Sequence, residues 1–338
     1  MKILHILLFT IILTIVDAQQ PLYTNLAFEG AGIKGLAYSG VIRELEKAGM
    51  IDDITRVAGT SAGAITALMI SLGYTSNEIY TIISDTEFQK FNDGEYLFIG
   101  GMNRMKNSYG WYQGDEFGKW LEGLIKAKTG DPEITFSGLA EGGYKDLYVT
   151  ATCLNRQKLL IFSRESYPDM KVKDAVRISM SIPLYFEAVF IDSTGKVYKD
   201  QEPGLDVVVD GGIVANYPIF IFDSTYIDPT GQEVRIPDAG TIGVRIDTDE
   251  QIAYDSEGKE LAPAPIENIS EYIGAFYTMV IESLNRNTLI PVDWDRTISV
   301  SSVGIGPKIK KLSEEQKQAL MTSGEEHTRE FLKQHGLL

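Results

Sequence analysis

Cysteine and histidine are both scarce in this chain of 338 residues, which contains one cysteine and three histidines. A single cysteine, Cys153, cannot form an internal disulfide, so the fold does not depend on cross-links. We expect Cys153 to be a small buried hydrophobic residue rather than a reactive thiol. The low number of histidines restricts the choice of a catalytic base, as argued below.

Positive charge is also scarce, because the chain has 31 Lys and Arg residues but 47 Asp and Glu residues, which gives a net charge of −16. This balance excludes nucleic acid as a partner, because neutralising phosphates requires a basic face. It also provides no long-range attraction to anionic lipid headgroups. Contact with a membrane, where it occurs, must therefore use apolar surface or a local basic patch.

A long apolar run, residues 3–16, follows Lys2 at the N-terminus, and Val16-Asp17-Ala18 at its end supplies small residues at cleavage positions. The run is shorter than the roughly 20 apolar residues that a membrane-spanning helix needs. We interpret residues 1–18 as a signal peptide that is removed after about Ala18. The sequence therefore predicts a secreted or periplasmic protein.

Strands and helices alternate along the chain, with glycine-rich turns between the first of them. The predicted strands are 22–29, 54–58, 147–153, 159–162, 206–210, 241–246 and 297–300, and the predicted helices include 36–47, 64–72 and 172–182. Such alternation predicts an α/β fold with a largely parallel sheet covered on both faces. No repeat or Pro/Ser-rich linker divides the chain, so we expect residues 19–338 to form one domain.

Residues 85–147 are less regular and rich in glycine and large apolar side chains. These side chains are Phe88, Phe91, Tyr96, Leu97, Phe98, Trp111, Tyr112 and Trp120. One interpretation is a small helical subdomain packed on the sheet. The other is a mobile aromatic lid that covers a functional site and meets its substrate.

The run Gly59-Thr60-Ser61-Ala62-Gly63 lies between a predicted strand and a predicted apolar helix. A Gly-x-Ser-x-Gly turn in that context is typical of a nucleophile elbow, in which Gly59 and Gly63 prevent clashes and the serine projects above the sheet. The dipole of the following helix would stabilise negative charge there. The alternative is that Ser61 is only a helix N-cap.

The usual partner of such a serine is a histidine. His5 is removed with the signal peptide, while His327 and His335 lie in or near a predicted C-terminal helix and are expected to be solvated. In the common α/β-hydrolase fold several strands precede the elbow, whereas here one strand and one helix precede the strand that leads into it. Both observations indicate a base of another kind.

Asp210 is the candidate base, because it ends the apolar strand Val207–Val209 and is followed by Gly211 and Gly212. A carboxylate in that position is unfavourable unless it is paired or has a function. The two glycines allow another group to approach it closely. Asp210 could accept the proton of Ser61 and later activate water; the alternative is an ordinary turn residue.

The run Gly30-Ala31-Gly32-Ile33-Lys34-Gly35 matches the G-x-G-x-x-G pattern of dinucleotide-binding proteins. In that pattern an acidic residue ends the second strand, whereas Asp52 and Asp53 precede the second strand here. We therefore expect no nucleotide cofactor.

An oxyanion hole explains this loop better, because small residues leave the N–H groups of Gly30, Ala31 and Gly32 free to face a developing negative charge. Lys34 has two interpretations, namely neutralising nearby negative charge or lying solvated at the start of a helix.

Four blocks in this order resemble the patatin-like phospholipase family, and together they span about residues 24–218. The blocks are Glu29–Gly35, Gly59–Gly63, Arg177–Pro183 followed by Phe186, and Asp210–Gly212 followed by Asn216-Tyr217-Pro218. The sequence departs from the family pattern at Ala31, where a glycine is usual. A methyl group leaves the backbone donor intact, so only the fine geometry of the oxyanion hole is affected.

This resemblance implies a three-layer α/β/α fold and a Ser61–Asp210 dyad that needs no cofactor or metal. It also implies hydrolysis of phospholipids or other acyl lipids, either of phospholipase A type or of broad acyl-ester type. Two alternatives stay open. One is a storage or interaction protein that keeps the fold with little turnover, and the other is a Ser–His esterase.

The scarcity of histidine leads to a prediction about pH dependence. We expect the pH profile of kcat/KM to lack a limb caused by an imidazole. His327→Ala and His335→Ala should then retain ester hydrolysis close to that of the unchanged protein. A loss larger than about a thousandfold in either variant would instead support a Ser–His enzyme.

Overall fold

The structure is a computed structural model that describes residues 23–94, 99–264, 266–286, 288–306 and 311–338. The signal peptide predicted for residues 1–18 therefore lies outside the described residues. The same holds for Tyr96, Leu97 and Phe98 of the predicted lid.

The described residues contain thirteen strands. They are β1 (Asn25–Phe28), β2 (Arg56–Gly59), β3 (Gly110–Tyr112), β4 (Asp146–Cys153), β5 (Lys158–Phe162), β6 (Leu184–Phe186), β7 (Val189–Ile191), β8 (Val197–Tyr198), β9 (Asp206–Asp210), β10 (Ser224–Ile227), β11 (Glu233–Ile236), β12 (Thr241–Asp247) and β13 (Thr297–Ser301).

The α-helices of the described residues are α1 (Tyr38–Lys47), α2 (Ala62–Ser71), α3 (Ser76–Asp85), α4 (Ile99–Asn107), α5 (Asp115–Thr129), α6 (Phe136–Glu141), α7 (Val172–Ser179), α8 (Gly212–Ala215), α9 (Asp249–Ser256), α10 (Ile269–Arg286), α11 (Pro291–Asp295) and α12 (Glu314–Gln334). Three short 3-10 helices, Gly32–Ala37, Phe88–Phe91 and Ile219–Phe222, join them. None of these helices combines the length and the apolar character needed to cross a membrane.

The central sheet has the strand order β13-β12-β1-β2-β4-β9-β7-β8, with β5 also paired to β4. The first five of these strands are mutually parallel. Strands β5 and β9 run antiparallel to β4, β7 runs antiparallel to β9, and β8 runs antiparallel to β7. The predicted mostly parallel sheet is confirmed, and its antiparallel pairings begin beyond the five parallel strands, where β5 and β9 pair with β4.

Alternate residues of β1 face opposite layers, as the period of a strand requires. Leu26 and Phe28 join the main core with residues of α1, α2 and α12. Ala27 faces the other way and packs with Ala58 and Phe222. Layers on both faces of the sheet give the three-layer α/β/α fold, which confirms the predicted fold class.

The described part of residues 85–147 contains β3, α4, α5 and α6. Phe91 lies 5.2 Å from Phe117 and 5.7 Å from Trp120 between ring centroids. These rings pack against the main core, because Phe91 and Phe117 belong to it. The subdomain and lid interpretations of this segment both stay predictions.

Helices α1 and α12 approach each other closely enough to bring their backbones into contact. A Cβ atom added at Gly40 would overlap the carbonyl oxygen of Met321, and one added at Gly324 would overlap that of Ala37. Larger residues at these two positions would force the helices apart. Glycine is therefore required here by packing.

This contact predicts that Gly324→Ala lowers the free energy of unfolding by about 1–3 kcal/mol through overpacking. Gly123→Ala is the matched control, because Gly123 is an exposed glycine within α5 and an added Cβ meets no atom within 4 Å. The control should be neutral or stabilising by about 0.5–1 kcal/mol. Thermal unfolding of both variants measures the difference, and equal melting temperatures would contradict the packing argument.

Candidate active site

Ser61 lies in a tight turn between the end of β2 at Gly59 and the start of α2 at Ala62. Its backbone has φ 53° and ψ −121°, a left-handed conformation that is strained for a residue with a side chain. Gly63 makes the turn possible, because a Cβ atom there would overlap the carbonyl groups at the end of β1. The arrangement is the strand–turn–helix that the sequence predicted.

Strand β4 aligns this turn with Asp210. Gly59 pairs with Val149 on one side of β4, and Asp210 pairs with Ala151 on the other. The ends of β2 and β9 therefore lie on opposite edges of β4, two residues apart along it. Thr60, next to Ser61, fixes this junction through hydroxyl contacts of 2.5 Å with Thr150 and 2.7 Å with the Ala215 carbonyl.

The Asp210 carboxylate is buried, with 5% of the residue exposed. Its Oδ1 atom accepts a hydrogen bond of 2.7 Å from the Gly212 N–H, and the Ser61 hydroxyl lies close by. Burial raises the pKa of Asp210 to about 7, although Gly212 and Ser61 both lower it. The structure thus brings Ser61 and Asp210 together, with the carboxyl group half ionised near neutral pH.

The end of α7 holds both residues in place. The Ser61 N–H donates to Ser179 Oγ at 2.9 Å, and the Asp210 N–H donates to the Ser181 carbonyl at 3.0 Å. Arg177 supports this segment by donating from Nη1 to Ser181 Oγ at 2.5 Å and from Nε to the Gly114 carbonyl at 3.1 Å. The sequence resemblance included this block but assigned no contact to Ser179 or Ser181.

The prediction that the Gly30 N–H is free is wrong, because this group donates to the Asn216 carbonyl at 2.9 Å. For the N–H groups of Ala31, Gly32 and Ala62, by contrast, no acceptor is found among the described residues. Gly30 has another role, since a Cβ atom there would overlap Asn216 and lie 3.3 Å from the Ser61 Cβ. Two of the three predicted donors thus stay available, and Ala62 adds one that sequence reasoning missed.

Gly211 and Gly212 lie against other groups, as the sequence predicted. A Cβ atom at Gly211 would overlap Thr150, and one at Gly212 would lie 3.0 Å from Asp210 Oδ1. The backbone after β9 can therefore fold back against β4 and donate to the carboxylate.

A buried cluster of charges lies behind the oxyanion loop. Arg245, of which 1% is exposed, forms ion pairs with Glu29 at 4.0 Å, with Asp255 at 3.4 Å and also with Asp247 and Glu282. Burial raises the pKa of Glu29 to about 8; the nearby carboxyl groups of Glu282 and Asp247 also raise it, whereas Arg245 lowers it. Glu29 in turn accepts from Asn216 Nδ2 at 3.3 Å and so connects the cluster to the loop.

Lys34 contributes to the same cluster. Its Nζ atom donates to the Ile246 carbonyl at 3.1 Å, and its positive charge lowers the pKa values of Glu29 and Glu282. Of the two interpretations of Lys34, neutralisation of nearby negative charge fits this position, whereas a fully solvated side chain does not.

Asn285 of α10 holds the segment after Asp210 at two points. Its Nδ2 atom donates to the Gly212 carbonyl at 3.1 Å, and its Oδ1 atom accepts from the Asn216 N–H. The Asn216 carbonyl in turn accepts from the Gly30 N–H. Asn285 therefore supports the residue that joins the segment after Asp210 to the oxyanion loop. No sequence pattern pointed to this residue.

Both histidines within the described residues make hydrogen bonds to backbone carbonyls. His327 Nδ1 lies 2.9 Å from the Ser323 carbonyl, and His335 contacts the carbonyls of Phe331 and Asp295, each at 2.9 Å. Ser61 makes its side-chain contacts elsewhere, with Asp210 and with the sulfur of Met180 at 3.4 Å. This geometry does not favour a Ser–His pair.

No group of three or more His, Cys, Asp or Glu side chains that could hold a metal ion occurs in the described ranges. A mainly apolar cavity of about 80 Å³ lies beside Ser61. Its apolar lining includes Ile65 of α2 and Met180 and Ile182 of the segment after α7. The group next to the Ser61 hydroxyl is thus expected to be apolar.

The fold and the strand–serine–helix turn define an α/β/α protein with a buried Ser–Asp contact at the edge of its sheet. The model of a family described as patatin-like phospholipase matches residues 26–223. This chain belongs to the patatin-like phospholipase family.

Two curated relatives show how far the similarity extends. The uncharacterized protein YqhO of Bacillus subtilis (strain 168) is 30% identical over 323 residues, which cover 93% of this chain and 99% of that protein. The probable lipid hydrolase 463L of Invertebrate iridescent virus 6 is 26% identical over 199 residues, or 59% of this chain and 63% of its own length.

Among solved structures, VipD from Legionella pneumophila resembles this chain with a TM-score of 0.56 at 17% identity. The match covers 95% of this chain and 69% of that one. At this identity the likeness concerns the fold.

The environment of Asp210 predicts the pH dependence of any reaction in which it acts as a base. With a pKa of about 7, Asp210 is protonated on acidification and can no longer accept the serine proton. The value of kcat/KM should therefore fall about tenfold per pH unit below neutrality. A pH–rate profile of ester hydrolysis measures this limb. Glu29→Gln should keep the limb near pH 7, which separates the effect of Asp210 from that of Glu29, another buried carboxyl group with a raised pKa.

Thermal stability provides an independent check of this pKa. An unfolded aspartate titrates at about 3.9, so the folded protein binds the Asp210 proton more tightly than the unfolded chain does. The stability that this contributes is present at low pH and is lost as pH rises through about 7. Asp210→Asn should therefore raise the melting temperature more at pH 8 than at pH 5; an equal effect at both pH values would contradict the raised pKa.

Proposed function

We propose that this protein is a secreted lipid acyl hydrolase, of phospholipase A type or of broader acyl-ester type, that uses Ser61 as its nucleophile. The observation that carries the proposal is the placement of the Ser61 hydroxyl, in a strained turn at the start of α2, close enough to the buried Asp210 carboxylate to lower its pKa. Family membership and the name of the viral relative, a probable lipid hydrolase, support the lipid ester as the substrate class.

The chemistry proceeds in two halves. Ser61 Oγ attacks the acyl carbon while Asp210 accepts the hydroxyl proton, and the carbonyl oxygen becomes an oxyanion. The N–H groups of Ala31, Gly32 and Ala62 stabilise that charge. When the ester bond breaks, Asp210 returns the proton to the leaving alcohol. A water then gives its proton to Asp210, attacks the acyl-serine, and releases the carboxylic acid as Ser61 regains its proton.

The residues around Asp210 suit this role. A base with a pKa near 7 is ionised in a useful fraction of molecules at neutral pH and still accepts a proton readily. Neither a metal ion nor a nucleotide is required, because the oxyanion is stabilised by backbone groups and the proton moves between two side chains.

The place of action belongs to the same proposal. We infer that residues 1–18 direct export and that the mature protein meets phospholipid or another acyl lipid outside the cytoplasm, where a membrane surface is one source of substrate. With a net charge of −16, it should hydrolyse lipid in zwitterionic vesicles better than in anionic ones.

Substitution of the two central residues tests the mechanism. Ser61→Ala and Asp210→Asn should each lower kcat/KM for a panel of phospholipids and simple esters by at least about a thousandfold. Ser256→Ala and Asp169→Asn, at exposed positions, are the matched controls and should keep full activity. Turnover close to that of the unchanged protein in either site variant would refute the proposal.

Labelling separates an enzyme from a storage or interaction protein with the same fold. A fluorophosphonate probe should modify the mature protein at Ser61 and leave Ser61→Ala unmodified. A folded protein that neither reacts with the probe nor hydrolyses any ester would support the second candidate, a binding or storage role.

A further inference from the structure

A second cavity lies next to the one beside Ser61. It has a volume of about 330 Å³, against about 80 Å³ for the first. Four apolar side chains line both cavities, namely Ile33, Leu36, Ile83 and Phe88. These side chains therefore form a wall with the serine on one side and the larger space on the other.

Two segments of the chain supply the side chains of this wall. Ile33 and Leu36 belong to the 3-10 helix Gly32–Ala37, which directly follows the oxyanion loop. Ile83 lies in the last turn of α3 and Phe88 opens the next 3-10 helix. Phe88 is held by edge-on contacts with Phe91 at 5.6 Å and Trp120 at 6.3 Å between ring centroids.

The two cavities differ in their outer lining. The cavity at Ser61 is bounded by Ile65, Met180 and Ile182, which suit a hydrocarbon chain. The larger cavity has charged residues at its boundary, among them Asp85, Lys311 and Lys317. A chain that passed the wall would therefore gain apolar contact first and reach polar groups afterwards.

The smaller cavity has room for roughly half a dozen groups of the size of a water molecule. An acyl chain whose carbonyl carbon lies at Ser61 would fill that space after about the same number of carbon atoms. Ile83 and Phe88 would then stop it.

We propose that Ile83 and Phe88 set the length of the acyl group that this enzyme accepts, and that the cavity behind them becomes an extension of the acyl site when either side chain is shortened. The proposal rests on the proposed ester hydrolysis at Ser61. It concerns the substrate's acyl part and assigns no preference for the alcohol part.

Burial of each additional methylene in an apolar site is worth about a fourfold gain in binding. For the unchanged protein, kcat/KM should rise by up to this factor per methylene until the chain reaches about six to eight carbons. It should then level off or fall, because further carbon atoms meet the wall. In Ile83→Ala and in Phe88→Ala the rise should continue to longer chains.

The experiment measures kcat/KM for p-nitrophenyl esters from two to sixteen carbons, each below its solubility limit. The ratio of the twelve-carbon to the four-carbon ester should increase at least about tenfold in Ile83→Ala and Phe88→Ala. Ile82→Ala is the matched control, because Ile82 is the half-buried neighbour of Ile83 on α3 and lines neither cavity. Its length profile should follow that of the unchanged protein.

A variant that fills the space covers the case in which the alanine variants fail to fold. Ile83→Phe should shift the optimum to shorter chains and leave the two-carbon ester unaffected. Profiles of Ile83→Ala and Ile83→Phe that are both parallel to that of the unchanged protein would overturn the proposal while leaving the Ser61 mechanism intact. No hydrolysis of any ester by the unchanged protein would instead refute the proposed function, and this inference with it.

Discussion

The burial of the Asp210 carboxylate beside the Ser61 hydroxyl is the constraint on which the rest of the site depends. Burial disfavours the charged form, and the Gly212 N–H and the nearby Ser61 hydroxyl offset only part of that effect, so the pKa is about 7. A fully solvated aspartate would be too weak a base for a serine, and an isolated buried one would stay protonated. The short segment after β9 provides the intermediate environment.

That environment requires several distant segments to be held in register. Strand β4 aligns the serine turn with the end of β9, and the segment after α7 holds the backbones of both residues. Asn285 and Asn216 connect the loop after Asp210 to the loop that carries the free N–H groups. Behind that loop, Arg245 forms ion pairs with the buried carboxylates of Glu29 and Asp255. Ser179, Ser181 and Asn285 are buried polar residues, and their hydrogen bonds hold the backbone of the site in place.

Much of this could be predicted from the sequence. A sheet covered on both faces, the turn at Ser61 and Asp210 as a candidate base follow from glycine spacing, from apolar strands and from the lack of a usable histidine. The three-layer α/β/α fold and the pairing of Ser61 with Asp210 were implied by the family resemblance. The free N–H of Gly30 was predicted wrongly, because its acceptor is a carbonyl far along the chain. The role of Asn285 was missed for the same reason, since it depends on contacts far along the chain. The donor at Ala62 was missed although it directly follows Ser61, where the turn itself could have indicated it.

The sequence by itself determined the features that arise from neighbouring residues: a turn that only small residues permit around Ser61, a carboxylate at the end of an apolar strand, and too few histidines for the usual dyad. Only the tertiary structure decided which N–H groups are available, how strongly Asp210 binds its proton, and where the cavity at Ser61 ends. These properties depend on burial and on contacts between segments such as Gly212 and Asn285, 73 residues apart. Desolvation and hydrogen-bond partners are set by what packs nearby in space, which local sequence does not record.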